Sequence, residues 1–290
     1  MQLQVTNLRK QIKGKSILKD VSFTLEAGQI GGLVGANGAG KTTLMKSILG
    51  MISINQGTIK VEQQVVSVQK KTALHNVGSL IEYPALYPYL TGWEHLRLFA
   101  NDDYNQKETE DLIAALEMES YLKRPTRQYS LGMKQKLGIL LALINQPRLV
   151  ILDEPINGLD PNGTKQVRDL ILRLQKRGIT FLISSHVLSE LEKMIDVLII
   201  IKDGVILKQT TLRRFQHHSQ QRLRITVDKF DLARKLIGAN EQIEISDTAL
   251  MVPVAELQTL VPGLNANGIH IQTVESERDD FENNLLQLLK

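Results

Sequence analysis

The stretch Gly35-Ala36-Asn37-Gly38-Ala39-Gly40-Lys41-Thr42-Thr43 carries the chemistry most legible in this chain. Its spacing is G-x-x-x-x-G-K-[ST], the pattern of a phosphate-binding P-loop. Glycines allow successive backbone N–H groups to turn inward around phosphate oxygens. A helix starting at the end of the loop adds its partial positive charge. Lys41 is then placed to reach the β- and γ-phosphates of a nucleoside triphosphate, and the Thr42 hydroxyl to ligate Mg²⁺. A second group lies in Leu149-Val150-Ile151-Leu152-Asp153-Glu154-Pro155, where an apolar run ends in two carboxylates. A strand buried on both faces delivers its last residues to the carboxyl edge of a parallel sheet, where α/β folds bind ligands. There Asp153 would hold the metal ion and Glu154 would polarise an attacking water as general base.

The surrounding elements are those such a site needs. Ile30–Val34 reads as the buried strand before the loop, and Leu44 and Ile48 share one face of the helix after it, which Gly50 closes. Short strands are expected at 3–8, 16–26 and 57–68, with Gly14 in a turn. A mostly helical zone follows from about 92 to 145. Asp160-Pro161 supplies an N-cap and first helical position, and Val167, Leu170, Ile171 and Leu174 give an amphipathic helix ended by Gly178. Ile179–Ser185 is a strand, and Asp203-Gly204 joins two more as a hairpin. Residues 213–221 are polar, contain His217-His218 and read as a linker. Beyond them the order is strand (222–227), helix (229–237), strands (242–246, 249–254), helix (255–264), strand (269–274) and helix (279–289), which fits a small ferredoxin-like α+β domain.

Composition narrows the class. The chain has 290 residues, 42% of them hydrophobic and 23% charged, as in an ordinary globular protein of about two domains. Cysteine is absent, which suits a reducing compartment. The start MQLQVTNLRK lacks an apolar core and is not expected to be a signal peptide, and no apolar run approaches the roughly 20 residues of a membrane span. Net charge is +4 without a Lys/Arg block, so no nucleic-acid partner is expected.

With these motifs in place, residues 1 to about 212 resemble the nucleotide-binding subunit of an ABC transporter. The resemblance implies an α/β P-loop NTPase fold of the ABC type (1–212), a helical subdomain at about 83–145, and an accessory domain at 222–290. Tyr129-Ser130-Leu131-Gly132-Met133 is an altered form of the family's signature LSGGQ, keeping Ser130 and Gly132. In the family this segment acts across a dimer on the partner's ATP. Ser130 also serves as a plain helix N-cap, and the two roles are compatible. Asn157-Gly158-Leu159-Asp160 matches the D-loop of the dimer interface, although Asp160 equally caps the next helix, and Ser184-Ser185-His186 matches the switch histidine that senses the γ-phosphate. The family's Q-loop glutamine is replaced by Glu82, which can approach Mg²⁺ or the attacking water. With the S-L-G-M-K-Q signature, this is similar to exporters giving self-protection against lantibiotics and bacitracin. Ile12 stands where many members stack an aromatic residue on adenine. Tyr83, Tyr87, Tyr89 and Trp93 occupy the region that receives a helix of the membrane subunit in the family, or simply pack the helical subdomain.

The resemblance therefore implies an ATP- and Mg²⁺-dependent ATPase that pairs with a second nucleotide-binding subunit and with membrane subunits. It would sit on the inner face of the cell membrane and energise export of a peptide antibiotic. The alternative is a soluble ABC-type ATPase acting on ribosomes or DNA. One cassette, and a segment 50–128 too short for a long coiled coil, argue against that alternative.

Overall fold

The computed structural model describes residues 1–101, 104–218, 222–238, 243–246 and 248–277, with the single positions 281, 285 and 288. The chain divides into two compact units, Met1–Leu212 and Arg213–Lys290.

In the first unit the strands are β1 (Leu3–Ile12), β2 (Lys15–Leu25) and β3 (Ile30–Val34), followed by helix α1 (Lys41–Ile48). Then come β4 (Gln56–Val61), β5 (Gln64–Val65) and β6 (Val77–Leu80). Helices α2 (Gly92–Phe99), α3 (Gln106–Ala115) and α4 (Leu131–Leu143) lead to β7 (Leu149–Asp153), α5 (Pro161–Lys176) and β8 (Thr180–Ser184). The unit closes with α6 (Leu188–Glu192), β9 (Val197–Lys202) and β10 (Val205–Thr211).

Two sheets result. One is antiparallel in the order β2-β1-β4-β5; the other runs β10-β9-β3-β8-β7-β6, parallel from β9 to β6 with β10 antiparallel at its edge. Every residue of β3, β7 and β8 is buried, as expected for parallel strands covered on both faces. Leu44, Met45 and Ile48 of α1 share one apolar cluster with strands of both sheets, so the helix that follows the phosphate loop is anchored in the core. Val167, Leu170, Ile171 and Leu174 are the buried stripe of α5. The mostly helical zone expected from about 92 to 145 contains α2, α3 and α4, and the turn Asp203-Gly204 has φ of 50° and 80°, the hairpin geometry its sequence predicts.

The second unit takes in α7 (Leu212–His218) from its second residue, then β11 (Arg222–Val227), α8 (Phe230–Ile237), β12 (Glu244–Ile245), β13 (Leu250–Pro253), α9 (Leu257–Ala266) and β14 (Ile271–Glu277). Its sheet is antiparallel in the order β12-β13-β11-β14. Ile225, Val227, Leu250 and Val252 build the core with Ala233 and Leu264 from the helices. Of the linker expected at 213–221, residues up to His218 are helical, and 219–221 lie outside the described residues. The helix is explained by Phe215, which is buried and packs edge-on against Phe281 with ring centroids 5.6 Å apart. The last helix expected, 279–289, falls largely outside the described residues.

Candidate functional site

β3 ends at Val34 and the chain turns through Gly35–Gly40 into α1. A side chain at Gly35 would meet the Ile201 carbonyl at 2.2 Å, and Gly40 sits at φ 108°, so both positions require glycine. Helix α1 then starts with no side-chain cap and no acidic residue in its first turn. The N–H groups of a helix's first turn have no intrahelical partner, so this end is left open to an anion. Lys41 folds back over the loop, its ammonium 2.7 Å from the Gly35 carbonyl and 3.3 Å from that of Ala36.

Next to this loop, β7 delivers Asp153 and Glu154. The Thr42 hydroxyl donates to Asp153 Oδ2 at 2.7 Å, and Ser184 Oγ donates to Asp153 Oδ1. Asp153 is only 3% exposed. Glu154 adopts φ 53°, uncommon for a residue with a side chain. Its N–H is held by Ser184 Oγ at 3.0 Å and the Ser184 carbonyl at 3.2 Å. Its carboxylate accepts from the His186 N–H at 3.1 Å and from His186 Nδ1 at 2.7 Å. An ionised carboxylate only accepts, so Nδ1 carries the hydrogen. A continuous chain of bonds therefore runs Thr42–Asp153–Ser184–Glu154–His186.

A cleft of about 540 Å³ opens over these groups. Asn37, Gly38, Gly40, Lys41, Thr42, Thr43, Glu82, Asp153 and Glu154 line it. Gly35, Ala36 and Ala39 shape the loop beneath. Glu82, at φ 60°, is paired with Lys46 of α1 at 2.8 Å. Ile17 and Lys15 line the cleft beside the loop, where Ile12 was expected; Ile12 lies at the end of β1 and is exposed. Gln135 also lines the cleft, and its amide donates to the Glu154 and Pro155 carbonyls at 3.2 Å each. The sequence places Gln135 at the end of the S-L-G-M-K-Q segment without a role of its own, and its position in a largely apolar helix was the available signal. Ser184 likewise has no role of its own in the sequence reading.

Ser130, Gly132 and Asp160 do not line this cleft. Ser130 caps α4, accepting from Met133 N at 3.2 Å, and Asp160 caps α5, accepting from Gly163 N at 2.7 Å. These two helix starts lie together: a side chain at Gly132 would meet the Gly158 carbonyl at 3.2 Å, and one at Gly158 would meet Leu131 at 2.5 Å. Tyr83, Tyr87 and Tyr89 are exposed, whereas Trp93 is half-buried.

The oxygen set suits Mg²⁺. A hydroxyl and a buried carboxylate in direct contact are hard donors, and Mg²⁺ is usually held by one or two carboxylates with substrate phosphates supplying further oxygens. Among the described residues no group of three or more His, Asp or Glu could hold a metal without such help. No helix among them is long and apolar enough to cross a membrane.

The family model described as "ABC transporter" matches residues 18–157. YdbJ of Bacillus subtilis, an ABC transporter ATP-binding protein, is 36% identical over 267 residues, covering 91% of this chain and 86% of its own. BcrA of Bacillus licheniformis, a bacitracin transport ATP-binding protein, is 34% identical over 248 residues, covering 84% and 80%. A solved ATP-binding subunit of an ABC transporter superposes with a TM-score of 0.70 at 31% identity, covering 75% of this chain and 92% of that one. The chain belongs to the ABC transporter ATP-binding proteins, which hydrolyse ATP.

Proposed function

We propose that this chain is the ATP-hydrolysing subunit of an exporter for a peptide antibiotic, with Glu154 as the general base. The observation that carries the reading is the bonded series from Thr42 through Asp153 and Glu154 to His186, beside an uncapped helix start. The loop N–H groups and Lys41 bind the phosphates of ATP. Thr42 and Asp153 would hold Mg²⁺, which supplies positive charge against the phosphate oxygens. Glu154 orients and deprotonates the attacking water, and His186, bonded to it, reads the γ-phosphate. Glu82, which lines the cleft beside Tyr83, would approach Mg²⁺ or the attacking water.

Ser130 and Gly132 lie outside this chain's own cleft. This supports a working pair of subunits in which each signature segment closes the other's ATP site, with Asp160 and its loop at the interface. ATP closes the pair and hydrolysis reopens it, a population shift driven by tighter binding of ATP to the closed state. The chain sits on the inner face of the cell membrane, held there by membrane subunits that turn the cycle into transport. Similarity to BcrA, together with Glu82 and the S-L-G-M-K-Q segment, supports a bacitracin- or lantibiotic-like substrate. The second unit is read as ferredoxin-like, because its strand order matches a split β-α-β arrangement.

The test is the inhibitory concentration of bacitracin and a lantibiotic panel for cells carrying this chain with its membrane subunits. Resistance lost on Glu154→Gln is the expected result. Unchanged sensitivity with wild-type protein present in membranes would remove the antibiotic substrate.

A further inference from the structure

We infer that Ser184 is a positioning residue for ATP hydrolysis, whose single hydroxyl fixes the metal-side carboxylate and the general base in one register. This rests on the roles proposed for Asp153 and Glu154. Ser184 ends β8 and is 0% exposed. In the parallel pairing of β7 with β8 its register partner is Asp153. The hydroxyl donates to Asp153 Oδ1 and accepts from the Glu154 N–H at 3.0 Å. One hydrogen and two lone pairs satisfy both bonds at once.

Both ends of that bridge need holding. Asp153 has its other oxygen bonded to Thr42, so the two bonds together set the plane of the carboxylate. Glu154 sits at φ 53°, a backbone conformation that persists only where its surroundings enforce it. Without the hydroxyl, the Glu154 N–H keeps only the Ser184 carbonyl at 3.2 Å, and Asp153 Oδ1 loses its buried donor. Partners of this kind, which orient a metal-binding or reacting group without touching substrate, typically matter by ~10- to 100-fold.

The experiment compares Ser184→Thr with Ser184→Val in the full chain. The two replacements have the same shape and both suit a strand, so any crowding is common to them and the hydroxyl alone separates them. Two quantities are read: kcat and KM for ATP hydrolysis, and the factor by which Mg²⁺ tightens ATP binding in calorimetry. Ser184→Val is expected to lower kcat ~10- to 100-fold relative to Ser184→Thr, with KM nearly unchanged, and to shrink the Mg²⁺ factor by a similar amount. Equal kcat and equal Mg²⁺ response in the two variants overturn the proposal. Should the added methyl unfold both, Ser184→Ala, which adds no bulk, must show the same loss. Wild-type turnover in Ser184→Ala overturns the proposal too. Glu154→Gln separates the levels: if it is inactive while Ser184→Val is not, only the Ser184 inference falls. If Glu154→Gln turns over normally, the reading of the base falls with it.

Discussion

Two helix starts in this chain are finished in opposite ways. α1 begins after Gly40 with neither a side-chain cap nor an acidic residue, in contact with the core on its apolar face. α4 begins at Ser130, whose hydroxyl accepts from Met133 N. An uncapped helix start in the middle of a well-packed unit leaves orphan donors, a cost that an anion removes on binding. A capped start is complete in itself. Yet the Ser130 hydroxyl still has its hydrogen free of that bond, so it can donate to a further acceptor. The first surface is therefore suited to a phosphate through backbone N–H groups and Lys41, whereas the second keeps one hydroxyl hydrogen for a further acceptor.

Breaking the first surface has the largest expected effect. Lys41→Ala removes the ammonium that reaches the loop's own carbonyls, at 2.7 and 3.3 Å. Hydrogen bonds involving charged groups contribute about 1.5–3 kcal/mol, so ATP affinity should fall ~10- to 100-fold in a nucleotide titration. Breaking the second surface should leave that titration unchanged. Ser130→Ala is expected to cost about 1 kcal/mol in thermal stability through the lost cap. It should reduce steady-state ATPase of the assembled subunits ~10-fold or more while the single chain binds ATP as before. Weakened ATP binding by a single-chain Ser130→Ala would place Ser130 in its own chain's site.

A smaller effect sharpens the link between the loop at Asp160 and the switch at His186. Glu190 of α6 bonds Lys193 and Arg168 of α5, and these bonds, Lys193 first, hold its carboxyl below the ordinary value of 4.5. A depressed folded-state value means the stabilisation is present above pH 4.5 and is lost as pH falls through the lower folded value. Thermal melts of wild type and Glu190→Gln should therefore differ most near neutrality and converge below pH 4.5. The gap should be at most about 1 kcal/mol, since the pair is near the surface.

The parts of the site legible in the sequence were those whose chemistry is local. Gly35–Thr43 leads from a strand into a helix and Asp203-Gly204 turns a hairpin, as their residue types imply, and Asp153-Glu154 stand at the end of β7, where the left-handed φ of Glu154 was not legible. What escaped depends on register or on distant contacts. Ser184 has its role only because β7 and β8 pair Asp153 with it. Gln135 matters only because α4 brings its amide to the Glu154 and Pro155 carbonyls. The stretch after Leu212 is polar enough to read as linker, and becomes helix because Phe215 finds Phe281, more than sixty residues away. Likewise Ile17, rather than Ile12, lines the cleft, because the β1–β2 hairpin presents that side of β2 to the loop.

The central claim is that Glu154 is the base at a cleft whose binding groups are separate from it. Glu154→Gln keeps the shape and removes the charge. ATP titration and single-turnover hydrolysis of this variant test the claim most directly. The account predicts ATP binding within a few-fold of wild type and hydrolysis slowed ~100-fold or more, the range of a lost general base. Hydrolysis at the wild-type rate would contradict it.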